Sequence, residues 1–309
     1  MIDRQGENES FDIDLREIAV LLYARKVLIL SITFLVSAIA ALVLLLLPNV
    51  YTSSAVLIPT QSQNGALGSL AGQYGGLADL AGISLPAMDE DNKADIAKQL
   101  MVSRFFIGNF IQNRDLMPSI MASKYWDFKT EKLYFDETLY LEDQQLWVRD
   151  VDPPLKPQPT LLEAHEEFLE AFSIYEDKKS GFITISIRHH SPIVASNVLA
   201  WLIEDVNGEI RKRDISDAET SIEYLKGQIS DTSLAGLRAI FFKLVERHTE
   251  QKMLAETQPE YALKIIDPPY VAIEHTSPNR LLLLILSGGI GFFISICFAG
   301  FLGIRDKVD

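Results

Sequence analysis

Five carboxylates crowd one short stretch: Glu131, Asp136, Glu137, Glu142 and Asp143. Two carboxyl groups at a fixed separation are what glycoside hydrolysis needs, one as acid and the other as nucleophile or base. The chain carries 42 acidic against 28 basic residues, a net charge of −14, and in such a sequence acid runs are ordinarily solvated faces; that is the reading adopted. The pair His189-His190, with His165, His248 or His275, offers the imidazoles that hold zinc, but no ligand spacing repeats. No nucleophile elbow is present. No catalytic residue, metal ligand or cofactor is therefore expected.

The glycine-rich run "LGSLAGQYGGLADLAGISL", residues 67 to 85, raises the question of a phosphate loop. A Walker loop needs a lysine to meet the phosphates and a hydroxyl to meet magnesium, and no lysine lies between Lys26 and Lys93. A dinucleotide fingerprint needs a surrounding βαβ unit, which is missing as well. What remains is a near-repeat, "SLAG" at Ser69 and "DLAG" at Asp79, that sets small residues beside leucines. Two readings stay open, a mobile linker and a close-packing segment that orders against neighbouring subunits. The second makes Leu70, Gly72, Gly75, Gly76, Leu77 and Leu80 the expected oligomer contacts, because a flexible linker rarely spends leucines on water.

The elements that position these residues start with two charge-free apolar runs, residues 27–47 and 281–304. At about 1.5 Å per residue each spans a hydrocarbon layer roughly 30 Å thick. A cleaved signal peptide has a shorter apolar core, and neither run has the polar face of a buried core helix. Arg4, Arg16, Arg25 and Lys26 precede the first run, whereas no Lys or Arg occurs from Val27 to Asn92. By the positive-inside rule the N-terminus is cytoplasmic, and two spans return the tail with Arg305 and Lys307 to the same side. Arg280, at the outer mouth of the second span, is a local exception. Between the spans lie 34 acidic and 22 basic residues, a balance that argues against nucleic acid or anionic lipid as the main partner. The single cysteine, Cys297, lies within the second run, so no intrachain disulfide forms.

Between the spans, "YTSSAVLIP" (51–59) reads as a strand and residues 91–117 as a helical stretch capped by Asp91, with Ile96, Leu100, Phe105 or Phe106, Phe110 and Leu116 at roughly helical intervals. Residues 125–140 read as an irregular aromatic and acidic excursion, "LWVRDV" (146–151) as a short strand and residues 160–172 as an amphipathic helix. Strands "SIYED" and "FITISIRHH" flank a turn at Gly181, the second with Ile183, Ile185 and Ile187 on one face. From Ser191 to about Thr257 a near-heptad seam through Val198, Leu202, Asp205, Ile215, Ile222, Leu225 and Ile229, resumed by Leu237, Phe241, Leu244 and His248, predicts an extended helical hairpin bending near 230–236. Its arms, about 39 and 22 residues, would reach roughly 58 and 33 Å. That mismatch suggests a misplaced bend or a break at Gly208. "YALKIIDPP" (261–269) is the return strand.

Inside the spans, small residues recur every fourth position: Thr33, Ser37 and Ala41 in the first, and Ser287, Gly291, Ser295, Ala299 and Gly303 in the second. Such stripes lie on one helix face and let another helix approach closely. They are the expected transmembrane packing residues.

This layout resembles the polysaccharide co-polymerases, the Wzz-type chain length determinants. The residues that carry the resemblance are "IDLREIAVLLYARKVLIL" entering the first span, "LAGQYGGLADLAGISL", "AETSIEYLKGQI" and "YALKIIDPPYVAIEHTSPNR" before a glycine-bearing second span. The proline-rich lead-in is the most specific, matched by Pro268, Pro269, Ser277, Pro278 and Arg280; Ala272 stands where a second proline is usual, and Asn279-Arg280 replaces a single lysine. The resemblance implies an α+β fold: two transmembrane helices flanking a periplasmic α/β base domain with a long extended helical hairpin. In residues, this gives a cytoplasmic tail (1–26), first span (27–47), base domain (48–190), hairpin (191–258), return strand and linker (259–280), second span (281–304) and tail (305–309). It further implies a homo-oligomer in the bacterial inner membrane, without a catalytic site, that sets the length of O-antigen or a related glycan made by a membrane polymerase, with lipid-linked glycan and the bilayer as further partners and no nucleic acid. A capsule or exopolysaccharide export role with a separate tyrosine kinase or transporter is the alternative. A periplasmic glycan-acting enzyme and a two-span receptor are weaker readings.

Overall fold

The computed structural model describes residues 26–60 and 92–308. The Asp91 cap and the expected contact residues Leu70, Gly72, Gly75, Gly76, Leu77 and Leu80 lie outside them. In chain order the elements are α1 (Lys26–Leu46), β1 (Tyr51–Pro59), α2 (Asn92–Leu100), α3 (Arg104–Asn113), α4 (Met117–Met121), β2 (Ser123–Asp127), β3 (Lys132–Phe135), β4 (Tyr140–Leu141), β5 (Leu146–Trp147), α5 (Leu161–Ala171), β6 (Phe172–Glu176), β7 (Ile183–His189), α6 (Pro192–Asp231), α7 (Ala235–Thr257), β8 (Leu263–Asp267) and α8 (Arg280–Val308). They form two compact units, one holding the terminal helices and the other running from Val50 to His275. The architecture is mixed helix and sheet with an apolar helix towards each end and one very long helix.

In the second unit a four-stranded antiparallel sheet has the order β6-β7-β1-β8. Alternation fixes its faces. Along β1, Ser53, Ala55 and Leu57 point inward, and along β7 Ile183, Ile185 and Ile187 do the same. The turn between β6 and β7 needs a residue at positive φ, which Gly181 supplies at 73°. The first half of α6 covers the inner face with Val198, Leu199, Leu202, Ile203, Val206 and Ile210, all buried. Burial of each such side chain contributes about 1.5–3 kcal/mol. Helices α2, α3 and α5 complete this core through Ala97, Ile107, Ile111 and Phe168.

The chain departs from expectation in three places. Residues 92–121 form three helices instead of one: Ser103 accepts the Phe106 N–H as a new N-cap, and Asp115, at φ 51°, turns the chain after α3. The break rotates Phe105 to the surface and Phe106 into the core, while Ala94 and Ala97 face inward where Ile96 was expected. The supposed irregular excursion is a β2–β3 hairpin followed by a small β4–β5 pair, tied by a stacked Tyr125–Tyr134 pair and by Tyr140 against Phe135 and Trp147. The short strand expected over 146–151 is confined to Leu146 and Trp147.

The helical hairpin turns at Thr232–Leu234, and α6 runs unbroken through Gly208. At about 1.5 Å per residue, its 40 residues measure roughly 60 Å and the 23 of α7 roughly 35 Å. The arms differ because the first half of α6 is core helix for the sheet and only its second half pairs with α7. That pairing buries Ala218, Leu225 and Ala255, and Lys252 bridges back to Glu219 at 2.6 Å.

Candidate functional site

Some of the small residues of the two apolar helices, Thr33 and Ser37 in the first and Gly291 and Ser295 in the second, lie where the helices meet. Thr33 donates its hydroxyl to the Ile29 carbonyl at 2.9 Å and stands 3.3 Å from the Ser295 hydroxyl, which donates to the Phe292 carbonyl at 2.7 Å. Each hydroxyl thus meets its own helix and its neighbour, the arrangement that lowers the cost of polar groups among apolar ones. Ser295 and Ala299 are completely buried. At Gly291 an added Cβ would lie 3.1 Å from Val36 Cβ and 3.5 Å from Thr33 Cα, so a larger residue here would press on Val36. Ser287 keeps its hydroxyl on the Leu284 carbonyl, and Gly288 stands opposite Ser37, 3.6 Å from Ser37 Oγ to an added Cβ. Ala41 is half-buried, and Gly303 lies in the last turns of α8. Sequence reasoning missed Val36 and Gly288; Val36 is the knob that Gly291 admits, and a valine in an apolar run carries no signal of it.

At one end of this pair, Arg280 donates to the Asn49 side chain at 2.9 Å and to the Leu47 carbonyl at 3.4 Å. A cation beside the carbonyl end of a helix is favourable, which gives this lone basic residue a local role. Of the other linker residues, Pro268 and Ser277 are exposed while Pro269 and Pro278 are half-buried. Just after the prolines, the Tyr270 carbonyl accepts the buried Ser53 hydroxyl at 2.7 Å.

A second polar constellation joins the hairpin to the sheet. Tyr261 donates to Asp214 at 2.6 Å, Lys93 reaches Tyr261 Oη at 2.7 Å and Asp214 at 3.0 Å, and Asn207 binds the backbone of residues 262 and 263. Arg114 ties α3 to α6 through Asp205 and Glu204. These contacts hold helices in place.

Two of the carboxylates weighed for hydrolysis are engaged otherwise. Asp136 accepts the backbone N–H and hydroxyl of Thr138, which with Lys124 hold its carboxyl below the usual range, and Glu142 pairs with Lys132 at 3.1 Å. A general acid needs the opposite shift. Among the histidines, His165 Nε2 meets the Val102 carbonyl at 3.0 Å, and His189 bridges Ser119 and Ser191. Among the described residues no group of three His, Cys, Asp or Glu could hold a metal ion. The open groove between α3 and α5 is lined by Arg104, Phe105, Leu161 and Leu162 and offers mainly apolar surface.

Residues 12–114 match the family model of the Wzz chain length determinant protein. No curated protein matches the chain. Among solved structures, it is similar to a full-length bacterial polysaccharide co-polymerase, at 13% identity over 95% of this chain and 99% of that one, with a TM-score of 0.41. It is also similar to a fragment of WzzB, a polysaccharide co-polymerase from Salmonella Typhimurium, at 13% identity over 74% of this chain and 100% of that one, with a TM-score of 0.30.

Proposed function

We propose, for a chain whose residues 12–114 match the family model of the Wzz chain length determinant protein, that it is a non-enzymatic regulator of the length of a bacterial surface polysaccharide, O-antigen or a related glycan. That match is the observation that carries the reading. The protein crosses the inner membrane twice through α1 and α8, keeps Arg25 and Lys26 on the cytoplasmic side and holds the unit from Val50 to His275 in the periplasm. It assembles as a homo-oligomer and acts on a separate membrane polymerase.

Several features support the reading. Both terminal helices are long and apolar enough to cross a bilayer. The hairpin leaves Tyr224, Leu234, Phe242 and Met253 exposed, apolar surface of the kind that a neighbouring subunit would cover. Asp136 serves loop geometry and Glu142 an ion pair, as a scaffold would use them.

The rival, a glycan-acting enzyme, is separated by substitution. With Glu131→Gln, Asp136→Asn, Glu137→Gln, Glu142→Gln and Asp143→Asn made singly and the host's glycan profile read on a gel, a regulator gives modest or graded shifts of length. Complete loss of activity from one or two positions would establish the enzyme instead.

A further inference from the structure

Where the hairpin leaves the sheet, one carboxylate gathers three other parts of the chain. Asp214 stands on the same face of α6 as Asn207 and Ile210, at the three- and four-residue spacing that stacks side chains along a helix. Ile210 is the last fully buried residue that α6 gives to the core beneath the sheet. Asp214 therefore marks the changeover from core helix to projecting arm. Its Oδ2 accepts the Tyr261 hydroxyl at 2.6 Å and the Lys93 ammonium at 3.0 Å, with Gln251 Nε2 at 3.4 Å. Lys93 also donates to Tyr261 Oη at 2.7 Å and lies 4.0 Å from the centre of that ring. These partners come from the first turn of α2, the residues that lead into β8 and the returning arm α7.

The cluster is well shielded. Tyr261 is 4% exposed, and the Lys93 and Asp214 side chains 21% and 20%. Hydrogen bonds constrain angle as well as distance, whereas apolar contact is non-directional. Beyond Asp214 the helix runs on to Asp231, roughly 26 Å at about 1.5 Å per residue, so a small tilt at Asp214 becomes a large displacement at the turn. The next bridge along the arm, Lys252 with Glu219, joins α7 to α6 and does not reach the sheet.

We infer that Asp214 is a positioning residue: with Lys93 and Tyr261 it fixes the direction in which the hairpin leaves the sheet, and through that direction the glycan length that the chain sets. The effect on length rests on the function proposed above, whereas the effect on direction stands on these contacts alone.

The test measures direction and length separately in the full-length protein. Spin labels at Ser233→Cys, in the hairpin turn, and Lys178→Cys, in the β6–β7 turn, are both at exposed positions, with Cys297→Ser removing the native thiol. Labelled protein is diluted into unlabelled protein so that only distances within one chain are read by pulsed electron paramagnetic resonance. The parent gives one narrow distance. Asp214→Ala broadens or displaces it and broadens the modal cluster of glycan lengths, while Asp214→Asn, which keeps an acceptor for Tyr261 and Lys93, preserves both. Circular dichroism confirms that helix content is retained. Should Asp214→Ala fail to fold, Lys93→Met and Tyr261→Phe each remove one partner and are expected to broaden the distance to a smaller extent. A parental distance in Asp214→Ala, or in both of the milder variants, overturns the inference. A broadened distance with unchanged glycan length overturns its link to length and leaves the regulator reading intact, because that reading is tested by deletion of the gene.

Discussion

Asn207 binds the backbone of Leu263 in both directions. Its Nδ2 donates to the Leu263 carbonyl at 3.0 Å, and its Oδ1 accepts the Leu263 N–H at 2.9 Å and the Ala262 N–H at 2.8 Å. Strand β8 is the edge of the sheet, and an edge strand has a row of unsatisfied backbone groups. One amide side chain in the long helix does for β8 what a fifth strand would do, and locks the start of the hairpin to the place where the chain returns.

Asn207→Ala leaves two buried N–H groups and one carbonyl without partners, at about 1–3 kcal/mol for each orphaned group. A fall in the thermal midpoint of the full-length protein, followed by circular dichroism in detergent, is the expected outcome. An unchanged midpoint would mean that the junction is held elsewhere.

Gly208 and Gly227 lie inside an unbroken helix, with nothing within 4 Å of an added Cβ at either. Each change to Ala is expected to stabilise the protein by roughly 0.5–1 kcal/mol, the helix-propensity difference. Destabilisation by Gly208→Ala in chemical unfolding would show a helix interrupted at that point.

Close approach of the apolar helices predicts asymmetric sensitivity to bulk. Gly291→Leu forces a side chain into Val36 and parts the helices, whereas Gly289→Leu, with nothing within 4 Å of an added Cβ, is tolerated. Oxidative cross-linking of Thr33→Cys with Ser295→Cys in a Cys297→Ser chain reads the seam. It should be efficient alone, abolished by adding Gly291→Leu and retained with Gly289→Leu.

His189 Nδ1 accepts the Ser191 N–H at 2.9 Å, so its proton resides on Nε2, which donates to the Ser119 carbonyl at 2.8 Å. Protonation would place a donor against a donor at the N-terminus of α6, whose dipole also repels a cation. Burial holds the imidazole below its ordinary 6.5, opposed by the backbone hydrogen bonds to Ser119 and Ser191, and His190 pushes in the same direction as burial. Burial and Arg247 lower His248 likewise. A histidine with a depressed folded pKa contributes stability that is complete above the unfolded value and is lost as pH falls below it, because the unfolded chain binds the proton better. Stability should therefore decline below about pH 6.5, with each histidine contributing at most about 1.4 kcal/mol per pH unit. His189→Gln should flatten that decline; a profile unchanged by the substitution would remove His189 as its cause.

Much of this was legible beforehand, where one physical signal dominates. Charge-free runs of about 20 residues define α1 and α8, strict alternation of isoleucines defines β7, and Ser191-Pro192 marks the start of α6 with its cap and first turn. The β2–β5 region was not legible, because strands of two to five residues with aromatics on both faces have no period to detect. The breaks at Ser103 and Asp115 were hidden because apolar residues continue across them at near-helical spacing. Asn207 reads as one more polar residue on a long helix; its role exists only once β8 has returned.

The central claim is that this chain sets glycan length, and the gel profile of the host's lipid-linked polysaccharide with and without its gene tests that most directly. The account predicts a tight modal cluster of lengths that deletion turns into a broad, short-weighted spread and that the restored gene recovers. Lengths unchanged by deletion, or polymer lost altogether, would contradict it.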